Sequence, residues 1–350
     1  MTTFHHVLRR RFVFRSLAAW LAAGSMATAA VPAALAQEGS AATASRTPSG
    51  KVPAAVSVLS IVEHPSLDAL RDGLHDELKD AGYQDGKSLH WAYQSAQGNQ
   101  GTAVQIARKF VGDRPDVIVP IATPAAQAVV SATHQIPIVY NAITDPIAAQ
   151  IVKSMAPSGT NVTGVSDKLV AERQVAFIKR VVPDAKRVGI IYSPAEANSV
   201  SATREMKVAL EKQGISLVEV AAPRSIDVGQ AAQRLVGKVD VIYTSNDNNV
   251  ISAYESVIKV ANAAKIPLIC ADRSSVQRGA TGAMAIDYYR MGRQTGRMVL
   301  RILNGEKPGD IASETSDRLD ITLNLDAARR QGATLSPELQ AEASEIFGKP

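Results

Sequence analysis

Six short segments of this chain gather the residue types that hold a small charged molecule: Glu63-His64-Pro65, Thr123-Pro124-Ala125-Ala126, Thr144-Asp145-Pro146, Glu196-Ala197-Asn198-Ser199, Asn246-Asp247-Asn248-Asn249 and Asp272-Arg273. A threonine at a helix start offers a hydroxyl and backbone N–H groups with no partner inside the helix, a seat for a carboxylate. Thr123 also fits an N-cap, with Pro124 in the first turn. Asp247 or Asp272 suits an ammonium group, because a charge-assisted hydrogen bond is strong in a closed, dry cleft. Each equally fits a helix cap or a solvated loop. His64 reads as a loop histidine whose ring can also stack on an aromatic or apolar ligand. Asn198 and Ser199 follow a strand and open a helix, so capping accounts for one of them, and Glu196 beside both strengthens the case for a site.

The chemistry these segments lack is as informative. There is no GxSxG elbow, P-loop lysine motif, HExxH pair, CxxC or GxGxxG fingerprint. An exported α/β enzyme would need Asp145, Asp247 and Asp272 to converge beside a base or metal, and no such partner is visible. The six histidines are scattered, so no metal cage is expected. Cys270 is the only cysteine, which excludes an intrachain disulfide and a cysteine-based zinc site. It sits in the apolar run Ile266 to Ala271 and reads as a buried strand thiol. These absences favour a protein that binds without catalysing, with no cofactor.

The loops belong to a repeating programme. From Ala54 onward, short Val- and Ile-rich runs alternate with amphipathic stretches, the pattern of parallel strands joined by helices, so the fold class is α/β. Strands are expected at 56–62, 88–93, 116–122 and 136–143. Helices are expected at 66–82, 101–112 and 124–133. The series then restarts, with strands at 187–192, 216–221, 240–244 and 266–271 and helices at 199–214, 227–236 and 250–264. Asp116 to Val129 (DVIVPIATPAAQAV) parallels Asp240 to Ala253 (DVIYTSNDNNVISA), and Ile136 to Pro146 parallels Ile266 to Val276. Two similar doubly wound lobes follow. In such sheets ligands lie outside the carboxyl ends of the strands, which is where the six segments fall.

Residues 1 to 36 have the layout of a secretory signal: Arg9, Arg10, Arg11 and Arg15, an apolar run from Leu17 to Ala34, and a small-residue exit at Ala34-Leu35-Ala36. Arg9-Arg10-Arg11-Phe12 resembles the twin-arginine export motif. A cleaved signal implies a periplasmic location, with the mature chain beginning near Gln37 and a flexible leader over 37–53. The net charge of +5 comes mostly from this segment: removing its four arginines leaves 34 basic against 33 acidic residues. Acids and bases alternate along every helical segment, so no nucleic-acid partner is implied. The roughly 300 residues that remain exceed one hydrophobic core and predict two domains.

The segments IVEHPSLDALRDGL, AYQSAQGN, IATPAAQA, TDP, NVTGVS, YSPAEANSV, NDNNVISA and IDYYRMGRQTGRM together resemble the ABC-transporter substrate-binding family that includes tryptophan and tyrosine binders, over residues 54 to 336. The resemblance implies a type I periplasmic-binding fold, two lobes with a hinge of crossing strands, and a monomer that captures a small amino-acid-like ligand, often aromatic, for an inner-membrane ABC permease. It places the cleft at Thr123, Thr144-Asp145, Glu196 to Ser199, Asn246 to Asn248 and Asp272. The second-lobe loop departs from the family's usual threonine-aspartate-asparagine by reading Ser245-Asn246-Asp247-Asn248, and Arg273 stands where short polar residues are usual, a position from which it could meet a carboxylate. The expected lobes are 54–162 with 283–316 and 163–282 with 317–336, followed by a tail at 337–350. The chain is expected to leave the first lobe near Asn161–Gly164, return near Ala283 and cross again near Asp317. The bilobed fold also serves periplasmic sensors that signal to a membrane receptor, the alternative to transport.

Overall fold

The chain builds one α/β programme twice. A computed structural model describes residues 48–316 and 318–349; the signal reading of 1–36, the leader up to residue 47 and the crossing at Asp317 lie outside the described residues. The first pass runs β1 (Ala54–Ser60), α1 (Pro65–Asp80), β2 (Leu89–Ser95), α2 (Gln100–Asp113), β3 (Val117–Ile121), α3 (Thr123–Ala132), β4 (Ile138–Asn141) and β5 (Val162–Ser166). The second runs α4 (Ala171–Val181), β6 (Arg187–Tyr192), α5 (Ala197–Glu211), β7 (Ser216–Ala221), α6 (Val228–Leu235), β8 (Val241–Thr244), α7 (Asn248–Ser252), α8 (Tyr254–Ala264), β9 (Leu268–Cys270), α9 (Arg273–Arg278) and β10 (Gly282–Ile286). The chain closes with α10 (Tyr288–Leu303), β11 (Glu314–Thr315), β12 (Leu319–Asn324), α11 (Leu325–Arg330), α12 (Pro337–Glu342) and β13 (Glu345–Phe347).

One sheet has the order β2-β1-β3-β4-β5-β11, the other β7-β6-β8-β9-β10-β12-β13. Their first five strands follow the same 2-1-3-4-5 winding, as the internal sequence parallels predict. All pairings within these cores are parallel, and β12 runs antiparallel to β10. Such strands are covered on both faces and read as continuous apolar runs: every residue of β3, β8 and β9 is buried. Cys270 is buried in β9 as expected, and burial pushes its thiol up.

Three passages of the chain join the sheets, and the first two lie a few residues away from their expected places. Asn161–Gly164 was expected to leave the first lobe, but β5 pairs with β4 from Val162 to Val165, so the chain departs after Ser166. Ala283 was expected to return to it, but β10 pairs with β9 and β12 in the second sheet, so the return follows Ile286. The segment 337–350, read as a tail, supplies α12 and the edge strand β13, which pairs with β12 through Thr322–Asn324. Its apolar pattern is too short to announce a strand without a partner. After the return, α10 docks on α1. Met291, Thr295, Met298 and Ile302 are buried on one face, as their spacing predicts. The two backbones touch: a Cβ on Gly292 would lie 2.0 Å from the Leu70 carbonyl oxygen, and one on Gly73 2.1 Å from that of Tyr289. No helix among the described residues is long and apolar enough to cross a membrane.

Candidate functional site

At the β1/β3 switch point of the first sheet and the β6/β8 switch point of the second, the strand ends face each other across a cavity of about 420 Å³, part of it open to solvent. Of the residues expected to form a site, His64, Thr123, Thr144, Asn198, Asn246, Asn248 and Asp272 line it. Glu63, Pro124, Ala125, Asp145, Glu196, Ala197, Ser199 and Asp247 do not.

The first-lobe wall presents donors. Thr123 was expected to cap α3, but the cap is Ala122, which has no side-chain hydrogen bond and sits at φ 73°, ψ 154°. Thr123 is therefore the first helical residue. Its hydroxyl is buried without a partner, and the N-terminal turn of α3 opens beside it. Just past the neighbouring strand β4, Ala142 also has a positive φ of 54°, and both alanines line the cavity. Non-glycine residues held there are strained, and such strain collects at binding sites.

His64 caps α1: its Nδ1 accepts from the Ser66 N–H at 3.2 Å. Its Nε2 lies 3.3 Å from Ser274 Oγ on the second lobe. Arg278 Nη1 lies 3.4 Å from the same nitrogen, and burial pulls the ring's pKa down.

The second-lobe wall presents acceptors. The cap of α9, Asp272, takes up Ser275 N–H at 2.9 Å, Ser274 Oγ at 2.6 Å and, across the cleft, Ser66 Oγ at 3.2 Å, all on Oδ1. Its Oδ2 has no partner among the described residues, although Asp272 is only 2% exposed. Asp247 is the opposite case. It caps α7 and its two oxygens accept from Ser193 N–H (2.6 Å), Ser193 Oγ (2.8 Å), Ser199 Oγ (2.6 Å) and Val250 N–H (2.9 Å). With four donors and no place on the cavity wall, Asp247 does not fit the ammonium role suggested for it. Arg273 also falls outside the site, because its guanidinium pairs with Glu345 of β13.

Two functional candidates escaped the sequence. Asp167 lies just past β5, lines the cavity and accepts from Thr144 Oγ1 (3.0 Å), Asn246 Nδ2 (3.0 Å) and Tyr288 Oη (2.8 Å). Its donors come from the ends of β4 and β8 and from the start of α10, so it ties two crossings to both lobes. Burial raises its pKa. Tyr288, at the second crossing, adds an aromatic face to a wall that also includes Val62, Leu67 and Ile251. The signal that could have found Asp167 is its place directly after a strand end within NVTGVSD. The lobes also touch outside the cavity, where Ser201 Oγ donates to Asp145 Oδ2 at 2.7 Å.

Two similar α/β lobes, three crossings and a polar cavity between facing strand ends define a solute-binding protein of the periplasmic-binding type. The profile of the family described as ABC transporter substrate binding protein matches residues 55–347, and the chain belongs to that family. It is 39% identical over 274 residues to the tyrosine-binding protein of Clostridioides difficile strain R20291, covering 78% of this chain and 79% of that one. Among solved structures it resembles a conserved domain protein from Vibrio cholerae (TM-score 0.83, 47% identity, 84% of this chain and 99% of that one). It also resembles the ABC domain in complex with L-Trp from Streptococcus pneumonia (TM-score 0.81, 33% identity, 84% and 99%). The likeness to the ligand-free, open structure of a substrate-binding protein with adhesive properties from Clostridium difficile is lower (TM-score 0.66, 37% identity, 85% and 100%).

Proposed function

We propose that this protein is the periplasmic solute-binding component of an ABC importer, and that it captures an aromatic amino acid as its zwitterion by closing two lobes around it and presents it to an inner-membrane permease. The observation that carries the reading is the opposition of the two walls. The α3 N-terminus and the unpartnered Thr123 hydroxyl suit a carboxylate. The Oδ2 of Asp272, across the cleft, is left free by bonds that all fall on Oδ1 and suits an ammonium. A molecule carrying both charges joins the lobes, whereas one carrying a single charge satisfies only one side, so closure is coupled to ligand identity. Val62, Leu67, Ile251 and Tyr288 give an aromatic side chain an apolar bed.

The names of the relatives support the ligand class, and the signal-like segment 1–36 supports the periplasmic location. The chain is more like the tryptophan complex than the open ligand-free structure, although its identity to the open one is higher. That ordering fits a closed arrangement. The test is a thermal-shift panel of the twenty amino acids on the mature chain from Gln37, after unfolding and refolding to strip any carried ligand. A molecule that binds only the folded form raises Tm. Tryptophan, tyrosine or phenylalanine should raise it. A shift with another solute and none with amino acids overturns the ligand class while leaving the transport role.

A further inference from the structure

Three asparagines line the cavity on the second-lobe side, and each has its amide group turned away toward an acceptor. Asn248 Nδ2 donates to Glu196 Oε2 at 2.6 Å. Asn198 Nδ2 donates to the same oxygen at 3.2 Å and to the Asn246 carbonyl at 2.8 Å. Asn246 Nδ2 donates to Asp167 Oδ2 at 3.0 Å. The side-chain carbonyls are what remain: those of Asn198 and Asn246 are buried without a partner, and no described donor reaches that of Asn248. An unmet buried acceptor is costly, so the two of Asn198 and Asn246, with the open carbonyl of Asn248 and the free oxygen of Asp272 beside them, call for a ligand rich in donors.

We propose that Glu196 is a positioning residue that turns Asn198 and Asn248 so that their carbonyl oxygens face the ligand, making the second-lobe wall selective for a primary ammonium group. The proposal deepens the amino-acid reading above and rests on it for the identity of the ligand. A carboxylate offers only acceptors, so an asparagine beside it must present its amide group; flipped, it would set carbonyl against carboxylate. Glu196 is not on the cavity wall and is only 5% exposed, so it acts through the asparagines and not on the ligand. Asp167 does the same for Asn246.

The device is sensitive to protonation. Burial first, then the neighbouring Asp247 carboxylate, push Glu196 up to about 7. Asp247 is the ionisable group that faces it; no lysine or arginine among the described residues pairs with either acid. Every contact falls on Oε2, so a proton taken up on Oε1 weakens Oε2 as an acceptor and loosens the hold on both asparagines together.

The first experiment needs no ligand. Side-chain amide resonances of Asn198 and Asn248 in the ¹⁵N-labelled wild type should shift together with a midpoint near pH 7, and should not titrate there in Glu196→Gln. A glutamine can offer its amide oxygen in place of Oε2 and keep both asparagines as they are, whereas Glu196→Leu removes the acceptor and frees both amide groups. In calorimetric titrations at pH 8, the preference of the wild type for L-tryptophan over its deaminated analogue, indole-3-propionate, should therefore fall at least tenfold in Glu196→Leu and be largely kept in Glu196→Gln. Asparagine resonances that ignore pH between 5.5 and 8.5, or equal weakening of both ligands, overturn the proposal. A wild type that binds neither compound defeats the aromatic ligand assignment instead, and the resonance titration still decides the role of Glu196.

Discussion

The two lobes share one winding order but meet the cavity with opposite chemistry. On the first lobe the strand ends lead into the uncapped N-terminus of α3, at Ala122-Thr123. On the second they lead into short helices capped by aspartates, α7 by Asp247 and α9 by Asp272. A duplicated fold thus becomes a device for a dipolar ligand by changing the residue that stands at the cap. An alanine there leaves donors open, and an aspartate closes them and adds an acceptor. The two aspartates divide further: two serines and two backbone N–H groups saturate Asp247 and make it structural, whereas Asp272 keeps one oxygen for the cavity.

The comparison breaks most sharply at Asp272. Asp272→Asn should weaken binding of an aromatic amino acid by about 30-fold or more, since losing one side of a buried charge pair costs roughly 2–5 kcal/mol; calorimetry checks it. Asp247→Asn should act mainly through stability, lowering Tm with a smaller change in affinity for the folded fraction. On the first lobe, Thr123→Val keeps the shape and deletes the hydroxyl. Affinity for ligands with a carboxylate should fall by about tenfold, the scale of one hydrogen bond to a charged group, while affinity for the decarboxylated amine stays put.

Closure itself should depend on acid. Burial works against it, but the Ala148 N–H, Ser201 and Lys168 hold the Asp145 carboxyl below the usual range. Opening removes Ser201, so the contribution of this contact to the closed form is present above the ordinary aspartate range and is lost as pH falls through the lowered value. The closed fraction, followed by small-angle scattering with ligand bound, should drop at strongly acid pH, and Ser201→Ala should abolish that part of the response. The smallest effect belongs to the strained strand ends: Ala142→Gly should change stability in denaturant unfolding by no more than about 1 kcal/mol, relief of strain offsetting lost chain rigidity.

Much of this was legible in the sequence because a parallel sheet fixes where its loops point. Once strands were assigned at 116–122 and 240–244, Thr123 and Asn246 had to lie at carboxyl ends. What the sequence could not rank was which polar residue keeps a free atom there. Asp247 and Asp272 look alike as helix caps, and only the arrival of Ser193 and Ser199 from the loop after β6 separates them. Asp167 was invisible for a related reason. Its partner Tyr288 is 121 residues away, and β5, which ends one residue before it, shows only a short apolar run. Thr123 was placed one position off because the left-handed turn at Ala122 leaves no mark on an alanine.

The central claim is that one molecule must carry both charges to join the two walls. Calorimetric titration of the mature wild type with an aromatic amino acid, its decarboxylated amine and its deaminated acid tests that directly. The account predicts tight binding of the amino acid and at least about 100-fold weaker binding of each analogue, the loss of one charge-assisted contact apiece. An analogue that binds as tightly as the amino acid would contradict it.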